Sequence, residues 1–309
     1  MVSGYAPIAL FVYNRPGHAQ RAVASLRKNS EAATSDLFVF SDAAKGAADL
    51  EGVEHTRAWV RGLSGFASVT VVERQVNLGL AGSIVDGVTR LCLDFGRAIV
   101  LEDDLVLSPF FLRYMNDGLA RYSKMPQIAS IHGYTYPVDS RLPETFFLRG
   151  ADCWGWATWA RAWQAFEPDA ASLLTQLRER GLAQAFDLDG AGPYIKMLED
   201  FIAGKNDSWA VRWHASAYLQ DMLTLYPGRS LVRNIGIDGS GIHSGDVDVY
   251  DSGLAQRPIA VEAIEIAESV AARSAFKRHF QATRPSVIAR MLRRVRRALE
   301  PGPKQGVKL

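Results

Sequence analysis

The sequence predicts an α/β fold in which a mostly parallel central sheet carries helices on both faces. Strand-sized apolar runs alternate with segments of helical spacing, and polar residues close several of those runs. Strands that alternate with helices pair in parallel through right-handed crossovers. The chain has 309 residues, 48% of them hydrophobic, and is long enough to bury a core on both sides of such a sheet.

The first half supplies four strands separated by three helices. Each predicted strand is an apolar run stopped by polar residues, such as Asn14-Arg15-Pro16 after the first and Ser41-Asp42 after the second. In parallel sheets, ligands bind outside the carboxyl ends of the strands. The strands are expected within residues 7–16, 36–44, 68–77 and 97–104, and the helices within 17–29, 54–63 and 81–95.

The second half is rich in aromatic residues. The i, i+4 spacing of Trp159 and Trp163 suits the core-facing side of a helix. Trp154 and Trp156 flank Gly155, where a backbone can approach a ligand. We expect at least two of these four tryptophans to be core residues. Further helices are expected within residues 110–123, 194–204 and 206–222, and strands within 127–137 and near 224–227.

Charge is distributed unevenly along the chain. Residues 273–308 carry eleven Lys or Arg and one acid, a balance of +10, whereas the whole chain has a net charge of +2. The remaining residues therefore sum to −8, which is not the basic footprint of a nucleic-acid-binding domain. We expect no nucleic-acid partner.

Three features predict a cytoplasmic protein. No apolar run approaches the roughly 20 residues that cross a bilayer. The N-terminal residues lack the basic region and cleavage site of a secretory signal. Cys92 and Cys153 lie in apolar or aromatic surroundings without the spacing of a metal site, which favours reduced, buried thiols.

An acidic run, Glu102-Asp103-Asp104, ends the fourth predicted strand. Acids are depleted in strands and adjacent carboxylates repel one another, so the run is costly without compensation. Mg²⁺ and Mn²⁺ prefer oxygen ligands, commonly one or two carboxylates together with substrate phosphates. The run therefore indicates a divalent-cation site. In the alternative interpretation, Glu102 and Asp103 face solvent and Asp104 caps the next helix.

Five motifs occur in order between residues 7 and 163, within a resemblance that spans roughly residues 7–245: PIALFVYNRP, FSD, VNLGLAGSIVDGV, IVLEDDLVLSPFFLRYMN and GADCWGWATWARAW. Together they resemble the nucleotide-sugar glycosyltransferases of the GT-A fold, which is Rossmann-like. The resemblance is closest to the branch that includes animal N-acetylglucosaminyltransferase I and bacterial polysaccharide-assembling enzymes. It implies a nucleotide-sugar donor, a Mn²⁺ or Mg²⁺ cofactor, and a glycan or lipid-linked acceptor.

The resemblance also implies roles for individual residues. Asp104 would ligate the cation, Asp103 would face the ribose and Glu102 the donor sugar. Arg15 matches an arginine that lies over the nucleotide, and Asp42 matches an acid that hydrogen-bonds the uracil ring. A carboxylate suits that position because it accepts from an imide N–H. From the residues alone, Arg15 is equally a surface charge beside a proline turn.

Two more donor-site residues follow from the resemblance. Asn77 would lie near the donor phosphate or sugar, although its surroundings also read as an ordinary strand-to-helix turn. His243, in the glycine-rich segment GSGIHSG, matches a late histidine on the cation or the diphosphate. The alternative is a mobile surface histidine. Such a loop also has the composition of a lid that orders over the donor.

Sugar transfer with inversion requires a carboxylate that takes the proton of the acceptor hydroxyl. Asp207, in the segment NDSW, falls on the base position of an Asp-Asp-Trp segment in the relatives, although Asn206 and Ser208 depart from that pattern. Alternatively, Asp207 is the N-cap of the next helix, and Asp152 is the rival base. Trp154 and Trp156 are the candidates for stacking on an acceptor sugar.

Residues 285–299 combine an apolar helix face with arginines over much of the remainder. This pattern is typical of a helix that lies at a membrane surface, where anionic lipid adds about 1 kcal/mol per basic residue. We predict peripheral contact with the inner face of the cell membrane; the alternative is a helix packed on the domain. The apolar residues are Val287, Ile288, Met291, Leu292, Val295 and Leu299.

We therefore predict a glycosyltransferase domain over residues 1–270 and a basic amphipathic tail over 271–309. Residues 1–108 would bind the nucleotide sugar, and residues 109–250 would supply the acceptor contacts and the base. The predicted reaction is metal-dependent, inverting transfer of a hexosyl or N-acetylhexosaminyl group in cell-surface polysaccharide assembly. The alternatives are a sugar nucleotidyltransferase, whose glycine-rich triphosphate loop is missing from NRPGHAQRA, and a catalytically inactive glycan-binding module.

Overall fold

An eight-stranded sheet organises the computed structural model, which describes residues 4–236 and 249–283. A separate two-stranded sheet lies beside it. All four strands predicted in the first half are present, and each ends within a few residues of the predicted boundary. The strands are β1 (Ile8–Val12), β2 (Asp36–Ser41), β3 (Ser68–Glu73), β4 (Arg97–Glu102), β5 (Leu105–Leu107), β6 (Ile128–His132), β7 (Thr145–Arg149), β8 (Trp156–Trp159), β9 (Leu223–Pro227) and β10 (Val232–Asn234).

Helices connect most of these strands and cover the sheet. The predicted helices of the first half are all present, and α3 ends at a glycine, Gly96, in the left-handed conformation. The helices are α1 (Pro16–Leu26), α2 (Leu50–Val60), α3 (Gly79–Phe95), α4 (Phe111–Arg121), α5 (Ala160–Trp163), α6 (Ala170–Glu179), α7 (Ala183–Phe186), α8 (Tyr194–Ile202), α9 (Trp209–Leu219) and α10 (Val270–Thr283).

The order of the large sheet is β3-β2-β1-β4-β8-β6-β9-β7. Strands β3, β2, β1 and β4 pair in parallel, and β6 pairs in parallel with β9. Only β8 and β7 run antiparallel to their neighbours within this sheet. The prediction of a mostly parallel central sheet is therefore confirmed.

Both faces of the sheet are buried, as the unbroken apolar runs predict. Along β1, Ile8 and Leu10 belong to one hydrophobic core, which α1 and α4 complete, while Ala9 and Phe11 belong to a second core with α3 and α9. Phe11 stacks on Phe40 at 5.0 Å. A Cβ added at Gly87 of α3 would lie 2.7 Å from the Phe11 ring, so this close helix–sheet contact requires glycine.

The tryptophan-rich segment differs from its prediction. Trp156 and Trp159 lie in β8, a strand, and only Trp163 lies in a helix. β8 lies between β4 and β6, and all four of its residues are buried, so both of its faces are covered. Trp156, Trp159 and Trp163 are buried core residues, as expected for at least two of the four.

The C-terminal part of the described chain packs on the domain. Helix α10 includes residues 271–283, which we assigned to the tail, and it buries Ala272 and Phe276 against Phe146, Leu148 and Tyr226. The predicted amphipathic segment 285–299 lies outside the described residues. Within residues 4–236 and 249–283, no helix combines the length and hydrophobicity that crossing a bilayer requires.

Candidate active site

The acidic run forms a turn at the carboxyl edge of the sheet. Glu102 is the last residue of β4, and Asp103 and Asp104 make the turn into β5. The residue after the turn therefore begins a strand rather than a helix, and the alternative in which Asp104 caps a helix is wrong. Asp103 is only 4% exposed, so it does not face solvent either. We call residues 102–104 the acidic turn.

Arg15 reaches the acidic turn from the neighbouring strand. It follows β1 and precedes α1, and Phe11 of β1 pairs in register with Glu102 of β4. Its Nη2 lies 2.8 Å from Asp103 Oδ1 and 3.2 Å from Asp104 Oδ2. The backbone N–H of Tyr13 also donates to Asp103 Oδ2, at 3.4 Å. Arg15 is therefore a partner of the acidic turn and not an isolated surface charge.

Negative charge at the acidic turn exceeds the positive charge around it. Burial, reinforced by Asp104 and Asp103, raises the pKa of Glu102 well above its usual range. Burial also raises the pKa of Asp103 to about 6, with Arg15 opposing and Asp104 adding to the shift. A bound cation would therefore offset the excess negative charge of the acidic turn.

The residues at the turn fit a cation that is shared with a substrate. Among residues 4–236 and 249–283, no three His, Cys, Asp or Glu side chains are grouped as a metal site. Asp104, with Asp103 beside it, offers the one or two carboxylates that Mg²⁺ usually takes from a protein when phosphates and water complete its shell. The other predicted ligand, His243, lies outside the described residues.

The backbone packs tightly against Asp104 from the other side. The N–H of Ile235 donates to the Asp104 carbonyl at 2.8 Å, next to the pairing of β10 with β5. A Cβ at Gly236 would collide with the Asp104 carboxylate. Glycine at this position therefore preserves space around the acid.

Asp42 and Asn77 lie together at the carboxyl end of β2. The Asp42 carboxylate accepts from the N–H groups of Ala43 and Leu78, each at 2.9 Å, and from the Asn77 side chain at 3.1 Å. Asn77 also donates to the Ala43 carbonyl at 2.6 Å. These bonds fix the turn into α3, which gives both residues a structural role beside the predicted donor contacts.

The two candidate bases lie in different places. Asp207 is exposed and precedes α9, whose N-cap is Ser208, because the Ser208 hydroxyl accepts from Val211 N–H at 3.3 Å. The alternative in which Asp207 caps this helix is therefore wrong. A Cβ at Gly79, the first residue of α3, would lie 3.5 Å from Asp207 Oδ2. Asp207 thus borders the Asn77 side of the site.

Asp152 lies on the segment that joins β7 to β8, close to the acidic turn. Its Oδ1 accepts from the Cys153 N–H at 3.1 Å. The pKa of the half-buried Cys153 thiol is raised by burial first, and then by the charges of Asp152, Glu102 and Asp104. Asp152 and the acidic turn therefore both lie close to the Cys153 thiol.

The predicted acceptor tryptophans separate. Trp156 is 0% exposed and packs on Trp209 at 5.5 Å, so it cannot stack on a sugar, and that expectation is wrong. Trp154 is half-buried, and its ring lies 4.7 Å from Tyr134. Trp154 packs against one hydrophobic core and Trp156 belongs to the other. Gly155 between them has φ +63°, and a Cβ there would lie 2.7 Å from Val232, so this position requires glycine.

Sequence analysis missed His132, which positions this segment. It is fully buried at the end of β6, and its Nε2 accepts from the Trp154 N–H at 3.1 Å. Burial lowers the pKa of His132 to about 4, with Asp152 opposing the shift, so the ring is neutral near pH 7. A histidine inside a predicted strand gave no signal, because the contact joins residues far apart in sequence.

Comparisons by sequence returned nothing: no protein-family profile matches the chain, and no curated protein matches it. Several solved structures are similar in fold. S. aureus TarS 1-349 has a TM-score of 0.40 at 10% identity, with 75% of this chain and 61% of that chain covered. The mannosyltransferase PcManGT from Pyrobaculum calidifontis, solved with GDP-Man and Mn²⁺, has a TM-score of 0.38 at 12% identity, with 70% of each chain covered.

A longer S. aureus TarS chain has a TM-score of 0.30 at 15% identity, and the match covers 48% of the present chain. The present chain spans 24% of the length of that protein. At such low TM-scores and identities, these similarities assign neither an activity nor a substrate to this chain.

Proposed function

We propose that the protein is a metal-dependent, inverting glycosyltransferase of the GT-A type. It would move a hexosyl or N-acetylhexosaminyl group from a nucleotide diphosphate donor, a UDP-sugar, to a glycan or lipid-linked glycan. The observation that carries the proposal is the convergence of Arg15, Asp103 and Asp104 at the carboxyl edge of β1 and β4. Ligands of parallel sheets bind at this edge.

The donor would lie along the ends of β1, β2 and β4. Arg15 would contact the nucleotide, Asp103 the ribose and Glu102 the donor sugar, while Asp42 and Asn77 border the base and phosphate region. Asp104, assisted by His243, would hold Mn²⁺ or Mg²⁺. When bound there, such an ion offsets the negative charge that develops on the leaving diphosphate.

The acceptor would approach from the second half of the chain. Trp154 offers a half-buried aromatic ring on the segment that carries Asp152. A carboxylate, either Asp207 or Asp152, takes the proton from the acceptor hydroxyl as that oxygen attacks the anomeric carbon. Inversion follows because the attack comes from the face opposite the leaving diphosphate.

A panel of nucleotide sugars, each assayed for hydrolysis with and without Mn²⁺, tests the proposed function. A UDP-sugar should be hydrolysed, since water can take the place of the acceptor, and this hydrolysis should require the metal. At about 100 times its Kd, the donor should stabilise the protein by about 2.7 kcal/mol. For a domain of this size, that corresponds to a rise in Tm of about 5 °C or more.

Asp104→Ala should remove both responses, because it deletes the carboxylate proposed to hold the metal. Asp117→Ala is the matched control, since Asp117 is an exposed acid on α4 whose contact is an i, i+4 pair with Arg113. No metal-dependent response with any donor, or equal responses in Asp104→Ala and the wild type, would overturn the proposal.

The proposed setting is cell-surface polysaccharide assembly at the inner face of the cell membrane, reached through residues 285–299. Deleting residues 285–309 should abolish co-sedimentation with vesicles that contain phosphatidylserine, because the deletion removes seven of the basic residues in the chain. Neutral phosphatidylcholine vesicles are the control. Unchanged sedimentation of the shortened protein would rule out this mode of attachment.

A further inference from the structure

A small cavity with mixed polar and aromatic walls lies between the sheet and the helices of the second half. Its volume is about 30 Å³, which is room for about two water molecules. It is not part of the acidic turn, but the segment that carries Asp152 and Trp154 connects the two places. The walls include Arg149, Asp152, Tyr194, His214, Tyr226 and Phe276.

Among the charged side chains that line this cavity, Asp152 is the one without an ion pair to another described residue. Arg149 pairs with Asp221 at 2.5 Å, and Arg273 pairs with Asp189 at 2.8 Å and with Glu268 at 3.7 Å. Asp152, by contrast, has no ion pair within the described part of the chain, and its contact there is the Cys153 N–H. A half-buried carboxylate of this kind calls for a ligand with hydrogen-bond donors.

His214 adds a second hydrogen-bonding group beside Asp152. Its Nδ1 lies 2.7 Å from the carbonyl oxygen of Ala151, which fixes the orientation of the ring. The backbone N–H of Ala151 lies 3.1 Å from the same nitrogen. Burial lowers the pKa of His214, with Asp152 opposing the shift, so a neutral ring is favoured near pH 7. A Cβ at Gly150, where φ is +95°, would lie 2.5 Å from the ring, so the histidine is seated directly on the backbone.

Aromatic rings form the rim above the cavity. Tyr194 lies 4.5 Å from His214 and 6.2 Å from Phe280, and Phe280 lies 5.0 Å from Tyr136. Each of these four residues is partly exposed to solvent. We call Tyr136, Asp152, Tyr194, His214 and Phe280 the aromatic cleft.

Helix α10 supplies one wall of the aromatic cleft and is tied to the domain. Phe276 packs against Phe146 and Tyr226 at 6.0 and 5.9 Å. Arg273 and Lys277, one turn apart on α10, form ion pairs with Asp189 at 2.8 and 3.0 Å. The helix therefore has a fixed position, shortly before residues 285–299 in sequence.

We propose that the aromatic cleft binds a sugar ring of the acceptor, with α10 as part of the acceptor site. A pyranose has apolar C–H faces, which suit the rings of Tyr136 and Phe280, and hydroxyl groups, which suit Asp152 and His214. The cavity takes one hydroxyl-bearing arm, and the ring rests on the rim. Such a combination of aromatic walls and a few convergent polar groups is what small-molecule sites share. The inference rests on the proposed glycosyltransferase function and extends it.

Saturation-transfer NMR with the methyl glycosides of glucose, galactose, mannose and N-acetylglucosamine tests the inference on the full chain. At least one glycoside should bind the wild type, and Phe280→Ala should weaken that binding about tenfold by removing a ring from the rim. Tyr194→Phe, which removes one hydroxyl, guards against a folding defect and should weaken binding about threefold. Phe66→Ala is the matched control: Phe66 is a half-buried phenylalanine that packs near Arg27, two residues before β3.

Donor hydrolysis by the wild type, run in parallel, separates the two proposals. Metal-dependent hydrolysis without binding of any methyl glycoside would overturn the acceptor site and leave the proposed function standing. Equal glycoside binding by the wild type, Phe280→Ala and Tyr194→Phe would also overturn it. Glycoside binding that depends on Phe280 in a protein without donor hydrolysis would support the cleft and overturn the proposed function.

Discussion

The acidic turn and the aromatic cleft are built in contrasting ways. The acidic turn is charged, and its partner Arg15 comes from the end of the neighbouring parallel strand. Arg15 and residues 102–104 meet because β1 and β4 are in register. The aromatic cleft is mainly uncharged, and its five residues come from five separate parts of the chain between Tyr136 and Phe280. In our proposals, one region would bind its ligand through charge at a strand edge, whereas the other would bind through packing between distant elements.

The largest expected effect concerns whether the aromatic cleft supplies the base. A general base contributes about 10²- to 10⁴-fold to a rate. If the cleft holds the acceptor, Asp152→Asn should reduce kcat for transfer by at least about 100-fold while the KM for the donor stays within about twofold. Asp207→Asn is the matched variant at the rival position, and steady-state transfer assays compare the two.

A large loss in Asp207→Asn with little change in Asp152→Asn would place the base beside α3. The aromatic cleft would then bind the acceptor without providing the general base.

The next effect separates structural from functional aromatic residues within one segment. Trp156→Ala should lower the free energy of unfolding by about 3–5 kcal/mol, because it empties a fully buried site in the middle of the sheet. Trp154→Ala should cost about 1 kcal/mol, since that ring is half-exposed. Denaturant unfolding of both variants checks this, and equal losses would contradict the burial difference between the two tryptophans.

A smaller effect is the pH dependence that His132 gives to the aromatic half. Its folded-state pKa is about 4 against an ordinary value of 6.5. As pH falls below 6.5, the unfolded chain takes up the proton first, so stability is lost between pH 6.5 and pH 4. The full loss is about 3 kcal/mol, since one pKa unit corresponds to about 1.4 kcal/mol.

His132→Gln lacks this titration, so its free energy of unfolding should change less steeply over that pH interval than that of the wild type. Chemical unfolding at pH 4.5, 5.5 and 7 measures both slopes. Identical slopes would show that His132 is not held neutral by burial.

The same contrast explains what the sequence could and could not predict. Strand–helix alternation and polar strand ends place Arg15, Asp42, Asn77 and the acidic turn at one edge, because parallel strands bring their carboxyl ends together. The position of β8 inside the sheet depends on antiparallel pairing with β4 and β6, which no local pattern encodes. For this reason the sequence leaves Trp156 beside Trp154 among the candidates for an acceptor contact. The His132–Trp154 bond and the aromatic cleft likewise join residues that only tertiary packing brings together.

The central claim is that Asp104 and a divalent cation act together on a nucleotide diphosphate. Isothermal titration calorimetry of UDP binding, with and without Mn²⁺, tests it directly in the wild type and in Asp104→Ala. We expect Mn²⁺ to strengthen UDP binding at least about tenfold in the wild type, a coupling of about 1.4 kcal/mol, and to have no effect in Asp104→Ala. UDP binding that is independent of Mn²⁺ in the wild type, or a coupling that survives in Asp104→Ala, would contradict the account.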